Sequence, residues 1–227
     1  MDFLEHKFFY FILLAFTISY PLAQSFERRL QFHTKWRKII LSSLVMMLLF
    51  IPWDIWFTQE NVWAFSKEYT LGFKIFSLPI EEWLFFLLVP FSCVFIYEVL
   101  NYFFRKDLDS KPYQIISFAL AGFLLVLSVI YSERLYTLVC FTLTSLALFI
   151  LGIHKPKWIA LFFRAFMVSF IPFILINGFL TGSFTEFPVV SYNPSEIIGI
   201  RLLNIPIEDS MYCLLMLLIV IAFYNKS

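Results

Sequence analysis

Seven stretches of this chain are long and apolar, broken only by an occasional charge, and each is long enough to cross a bilayer. They lie near residues 8–24, 39–57, 79–103, 113–131, 135–153, 158–180 and 206–224. The last holds 19 residues, which as a helix rise roughly 28 Å against a hydrocarbon thickness of ~30 Å. A backbone in lipid must satisfy its own hydrogen bonds, and the stretches lack the alternation of a barrel strand, so helices are expected. The expected fold is therefore all-α, a polytopic membrane protein with seven transmembrane helices. Composition agrees: of 227 residues, 61% are hydrophobic and 15% charged, far too apolar for one soluble core. The first span lacks a basic leader and a small-residue cleavage site, and is read as a mature helix.

Lys and Arg set the expected direction. Eleven fall on one side of the membrane: Arg28, Arg29, Lys35, Arg37 and Lys38 after span one, Arg105, Lys106 and Lys111 after span three, Lys155 and Lys157 after span five, and Lys226 in the tail. Five fall on the other side: Lys7, Lys67, Lys74, Arg134 and Arg201. This places the protein in a cell or cytoplasmic membrane, N-terminus outside and C-terminus cytoplasmic. Net charge is only +1 and neither GxGxxG nor GxxxxGK[ST] occurs, which argues against nucleic acid and nucleotides as partners. Cys93, Cys140 and Cys213 are isolated within spans and read as small core residues. His6, His33 and His154 are scattered, so no transition-metal site is expected.

An internal repeat organises the chain. Residues 71–82, LGFKIFSLPIEE, align without a gap on residues 198–209, IGIRLLNIPIED. Gly72 falls on Gly199, Lys74 on Arg201, Pro79 on Pro206, Glu81 on Glu208 and Glu82 on Asp209. Upstream, FIPWDIWFT (residues 50–58) aligns with FILINGFLT (residues 173–181), which sets Asp54 against Asn177. Spans two and three thus match spans six and seven, and by extension span one matches span five. An even number of spans separates the equivalents, so the two three-helix units run parallel. The expected units are residues 1–107, a linking helix within 108–132, and residues 133–227. Both acidic pairs then lie at one membrane face, where they can meet across an interior cavity.

A proline at a helix start sets the carboxyls of Glu81, Glu82, Glu208 and Asp209 in the first turn, where the helix dipole favours negative charge. Acids in that position are often ordinary headgroup-level residues; the duplication of the pair argues for function. Burial and a like neighbour favour a protonated carboxyl, while dipole and polar neighbours favour an ionised one. One residue type then supplies both acid and base. Adjacent helical residues point about 100° apart, so one member of each pair suffices to face a cavity. Trp53, Trp56 and Trp63 precede the first pair, Trp83 follows it, and Tyr192 and Tyr212 hold comparable places in the second half. Ring faces stabilise cations, although aromatic belts at membrane interfaces are also common. Asp54 and Asn177 suit an orienting role beside the pairs. Glu98 is expected to pair with Arg105 or Lys106 or to snorkel, and Arg164 to snorkel.

These motifs resemble the integral-membrane, flavin-free lycopene cyclases of carotenoid synthesis, in the single-chain form with two tandem cyclase domains. The resemblance rests on LPIEEWLFFLLVPF (residues 78–91), IPIEDSMYCLL (residues 205–215), SFERRLQF (residues 25–32), Trp53-Asp54 and Asn177-Gly178, and covers nearly the whole chain. Asp209 stands where Glu is common, keeping the carboxylate on a shorter reach. The resemblance implies a lycopene β-cyclase, an isomerase without redox or added cofactor, acting on lycopene or a related linear carotene. A carboxylic acid protonates an end double bond, a ring closes through a carbocation, and a carboxylate removes a ring proton. Glu81, Glu82, Glu208 and Asp209 would be the catalytic groups, with Asp54, Asn177, Trp53, Trp56, Trp83 and Tyr212 binding substrate. A proton-coupled membrane transporter would use the same carboxylates. The resemblance leaves open one ring or two, the ring type, and whether the chain forms a homo-oligomer or associates with other carotenoid enzymes.

Overall fold

The computed structural model describes residues 6–104 and 108–226. Arg105 and Lys106, which entered the charge count, lie outside the described residues. Seven long helices follow one another: α1 (Phe9–Gln24), α2 (Trp36–Gln59), α3 (Ile80–Phe103), α4 (Lys111–Ile130), α5 (Leu135–His154), α6 (Ile159–Leu180) and α7 (Ile207–Tyr224). Six of these are long and apolar enough to cross a membrane; α1, with 16 residues, is shorter. The apolar residues left outside, such as Leu48, Ile115, Val129 and Ile171, sit along the outer faces of these helices, where only a hydrocarbon surround would leave them without cost.

The helices interlock across the two halves of the chain. α1 packs along α3 and α5 along α7, while α2 lies against α7 and α6 against α3. α4 packs on α5 at the edge, with 22% of its most apolar stretch buried against 67% of that of α7. Of the six longer helices α7 is the most buried and α4 the least.

Short strands cap one end of the bundle. β1 (Trp63–Phe65) pairs antiparallel with β4 (Val190–Tyr192), placing Trp63 opposite Tyr192 and joining the loop after α2 to the loop after α6. β2 (Lys74–Ile75) pairs with β3 (Leu78–Pro79), and β5 (Arg201–Leu202) with β6 (Ile205–Pro206). Each two-stranded hairpin leads directly into α3 or α7. The prolines stand one residue earlier than expected, preceding the first helical residue with ψ of 148° and 142°. The hairpin explains the shift. It supplies a carbonyl to the first helical N–H, from Phe73 to Ile80 and from Ile200 to Ile207, each at 3.0 Å. Proline ends the strand, where its missing donor is not needed.

Gly72 and Gly199, aligned in the sequence, take φ of +84° and +91°. A Cβ at either would meet no atom within 4 Å, so backbone conformation rather than crowding requires glycine there. The expected partners of Glu98, Arg105 and Lys106, lie outside the described residues; Glu98 pairs with Lys35 and accepts the Tyr224 hydroxyl at 2.6 Å, because the turn before α2 folds back beneath α3. One expectation about charge is corrected. Arg164 does not snorkel outward: it donates to the carbonyl of Phe104 at 2.8 Å and to Asn101 Oδ1 at 2.9 Å, tying α6 to the end of α3.

Candidate active site

The first turns of α3 and α7 bring four buried carboxyls to the same end of the core. Within each pair the two members point differently. Glu81 turns back to its hairpin, and its Oε1 accepts the Leu71 N–H at 2.6 Å. Glu208 does the same for the Ile198 N–H at 2.7 Å and also accepts the Thr137 hydroxyl at 2.6 Å. The second oxygen of each is buried without a partner. Glu82 and Asp209 point the other way, into a shared cavity.

The two cavity carboxyls are held differently. Glu82 Oε2 accepts one hydrogen bond, from Tyr10 at 2.7 Å. Asp209 Oδ1 accepts Tyr136 at 2.7 Å, and its Oδ2 accepts Tyr192 at 2.8 Å and Asn177 Nδ2 at 3.0 Å. Burial, followed by the charge of Asp209, pushes the Tyr192 hydroxyl up above its ordinary range, so it remains a neutral donor. Asp54, the counterpart of Asn177, gives Glu82 no donor: it is a buried carboxyl with one unpartnered oxygen, lining the same cavity. The ion pairs among the described residues, Glu27 with Arg29 and Lys35 with Glu98, lie elsewhere.

The cavity has a volume of about 470 Å³, within the range of small-molecule sites. Its polar end carries Asp54, Glu82, Asp209, Asn177 and the tyrosines Tyr10, Tyr136, Tyr192 and Tyr212. The remainder is apolar, with Phe85, Val89, Phe173, Ile176 and Met216 among its lining, and Cys93 and Cys213 along the wall. Tyr212 packs edge-on against Trp53 and Phe50, with ring centres 4.9 and 4.7 Å away.

Of the aromatic residues expected to bind substrate, only Tyr212 lines the cavity. Trp53 stands behind it as a second layer. Trp56 is 41% exposed on the outer face of α2, and Trp83 gives its indole N–H to the Ile75 carbonyl at 3.4 Å, fastening the hairpin. Trp63, named with the aromatics before the first pair, reaches the cavity through the β1–β4 pairing. Tyr10 and Tyr136, which hold the cavity carboxyls, are absent from the sequence reading; they come from α1 and α5, and a signal for them exists: extending the repeat through spans one and five sets YFIL (residues 10–13) on YTLV (residues 136–139).

Chemically, this is a mainly apolar pocket with carboxyls from both halves of the chain at one end. Asp209 has three donors and Glu82 one, while Asp54 keeps an unpartnered oxygen. Such a site suits proton transfer to and from an apolar molecule.

The family model described as Lycopene cyclase matches twice, over residues 6–100 and 133–226. A bifunctional lycopene cyclase/phytoene synthase from Arthroderma gypseum is 30% identical over 88 residues, covering 39% of this chain and 14% of that protein. Its namesake from Aspergillus oryzae is 26% identical over 98 residues, 40% of this chain and 16% of the relative. That from Colletotrichum graminicola is 33% identical over 51 residues, 22% of this chain and 9% of the relative. The aligned stretches thus span about one-sixth or less of the relatives' own length. No solved structure gives a significant match. With its two halves both matched by the same model, this chain belongs to the lycopene cyclase family.

Proposed function

We propose that the chain is a lycopene β-cyclase that closes an acyclic end of lycopene, or of a related linear carotene, into a β-ionone ring by acid–base chemistry alone. The observation that carries this reading is the meeting of Glu82 and Asp209, from opposite halves, at the end of one apolar cavity. Glu82 has one donor, Tyr10, and Asp54 lines the same cavity with an unpartnered oxygen, an arrangement in which neighbouring like charges favour keeping a proton. They form the acid, with Glu82 as the donor. Asp209 receives three donors, which suit a carboxylate, and is the base.

The acid delivers a proton to the terminal double bond and leaves a tertiary cation. The neighbouring alkene attacks that carbon, closing the ring and moving the positive charge into it. Asp209 takes a ring proton and the double bond re-forms. One proton enters and one leaves, so the product is an isomer of the substrate and no electrons are exchanged. The proton then returns from Asp209 to the acid pair to reset the site. Tyr212, backed by Trp53 and Phe50, offers π density to the cation while the apolar walls keep water from trapping it. Glu81 and Glu208 are positioning residues in this scheme, holding the hairpins that start α3 and α7.

The same reading takes α1 as a seventh span and treats α1–α3 and α5–α7 as parallel repeat units of residues 1–107 and 133–227, joined through residues 108–132. The paired hairpin carbonyls, the Glu81 and Glu208 contacts and the Tyr10 and Tyr136 contacts all support it. The charge count then puts the acidic end and the N-terminus on the outer side of the membrane.

The test is expression in cells that accumulate lycopene. The unaltered chain is expected to shift extracted pigment from lycopene toward cyclised carotenes. Glu82→Gln and Asp209→Asn, at equal membrane level, should each leave the lycopene uncyclised. Normal cyclisation by both variants would remove the assignment.

A further inference from the structure

The cavity does not end inside the bundle. From the acidic end it follows α3 from Glu82 to Ile96, about 21 Å of helix rise. Over the same level it is bounded by α1 on one side and α6 on the other. These two helices touch only sparsely, since α1 packs mainly on α3. Along this seam the lining includes Phe16, Ser19 and Tyr20 of α1 and Leu175 of α6. Three of them also face outward: Phe16 is 66% exposed, Tyr20 67% and Leu175 46%. A residue that both lines a cavity and faces the surroundings marks its mouth. On α1 this mouth lies about midway along the helix, and on α6 it lies in the half nearer the capped end.

The capped end is polar and closed by β1 and β4, so a long apolar molecule with one end at the carboxyls leaves through the seam.

We infer that the seam between α1 and α6 is a lateral portal to the bilayer, through which the substrate enters end-first and in which its polyene tail lies while one end is at the carboxyls. This rests on the cyclase reading and adds the path and the mode of binding. It also sets an order of events: the second end of a linear carotene is treated only after the first product has slid out and re-entered the other way round.

The experiment separates path from chemistry. In the Glu82→Gln chain, expressed in lycopene-producing cells and purified in detergent, lycopene retained per mole of protein is read from visible absorbance. Adding Ser19→Trp, or separately Leu175→Trp, fills the seam from one wall or the other. Each is expected to lower retained lycopene at least fivefold, and on the unaltered background to slow cyclisation at least tenfold. Leu48→Trp, on the outer face of α2 and away from the cavity, should change neither. Ser19→Leu serves as a milder filling if either tryptophan lowers the level of inserted protein, and should give an intermediate loss. Retention and rate within twofold of the parent in the filled variants would overturn the portal while leaving the chemistry intact. Cyclisation by Glu82→Gln at the parental rate would overturn Glu82 as the acid, and absence of cyclisation by the unaltered chain would overturn the cyclase reading instead.

Discussion

Asn177 is where the difference between the two halves can be put to a quantitative test. Its amide N–H donates to Asp209 Oδ2 at 3.0 Å, beside Tyr192 on the same oxygen and Tyr136 on the other. Asn177→Leu keeps nearly the same shape and removes that donor. A hydrogen bond to a charged group contributes about 1.5–3 kcal/mol. If Asp209 works as the carboxylate that removes the ring proton, losing this bond makes the carboxylate less favourable by a similar amount. At 1.36 kcal/mol per tenfold in rate, that is a slowing of about 10- to 150-fold. The side chain is neutral and only half-buried, so folding should survive the change. The assay is the initial rate of cyclised pigment from lycopene in membranes holding equal amounts of each chain. Tyr192→Phe removes the second donor to the same oxygen and should fall in the same range. A rate within twofold of the parent for both variants would mean that Asp209 is not the base, or that its donors are irrelevant to it.

Other expectations concern the groups that hold the site together. Glu81→Gln and Glu208→Gln should lower the thermal midpoint of the purified protein, by about 1–3 kcal/mol of stability each, while cyclisation per folded molecule stays within a few-fold of the parent; an abolished rate in well-folded protein would move these carboxyls into the chemistry. Gly199→Ala, at φ +91° with open space around it, should cost about 1–2 kcal/mol through backbone strain alone, read as a lower midpoint with unchanged rate. Lys35→Met leaves Glu98, among the described residues, with the Tyr224 hydroxyl and should destabilise by about 1–3 kcal/mol, without affecting a site at the other end of the bundle.

Much of the fold was legible because lipid-spanning helices announce themselves by length and apolarity. The helix bounds fall within three residues of those expected. The repeat pointed to both acidic pairs and set Asp54 against Asn177, the substitution that makes the halves unlike. Which member of each pair faces inward was not legible. It depends on the hairpins that turn Glu81 and Glu208 toward Leu71 and Ile198, and strands of two or three residues carry no periodic signal. The prolines were placed one position late for the same reason. Trp56 and Trp83 looked like cavity walls because they neighbour the acids in sequence, yet helix rotation sends one outward and the hairpin engages the other. Tyr10 and Tyr136 were overlooked because a lone tyrosine in an apolar span usually marks an interface. Only the packing of α1 on α3 and of α5 on α7 joins each to a carboxyl on another helix.

The central claim is that carboxyls from the two halves act together on one carotene end. Its most direct measurement is the pigment formed from lycopene alone by the purified chain in lipid, compared with Glu82→Gln and Asp209→Asn. The account predicts cyclised carotene of unchanged mass from the parent, a fall of at least a hundredfold in each variant, and retained lycopene in both. Cyclisation at the parental rate by either variant would contradict it.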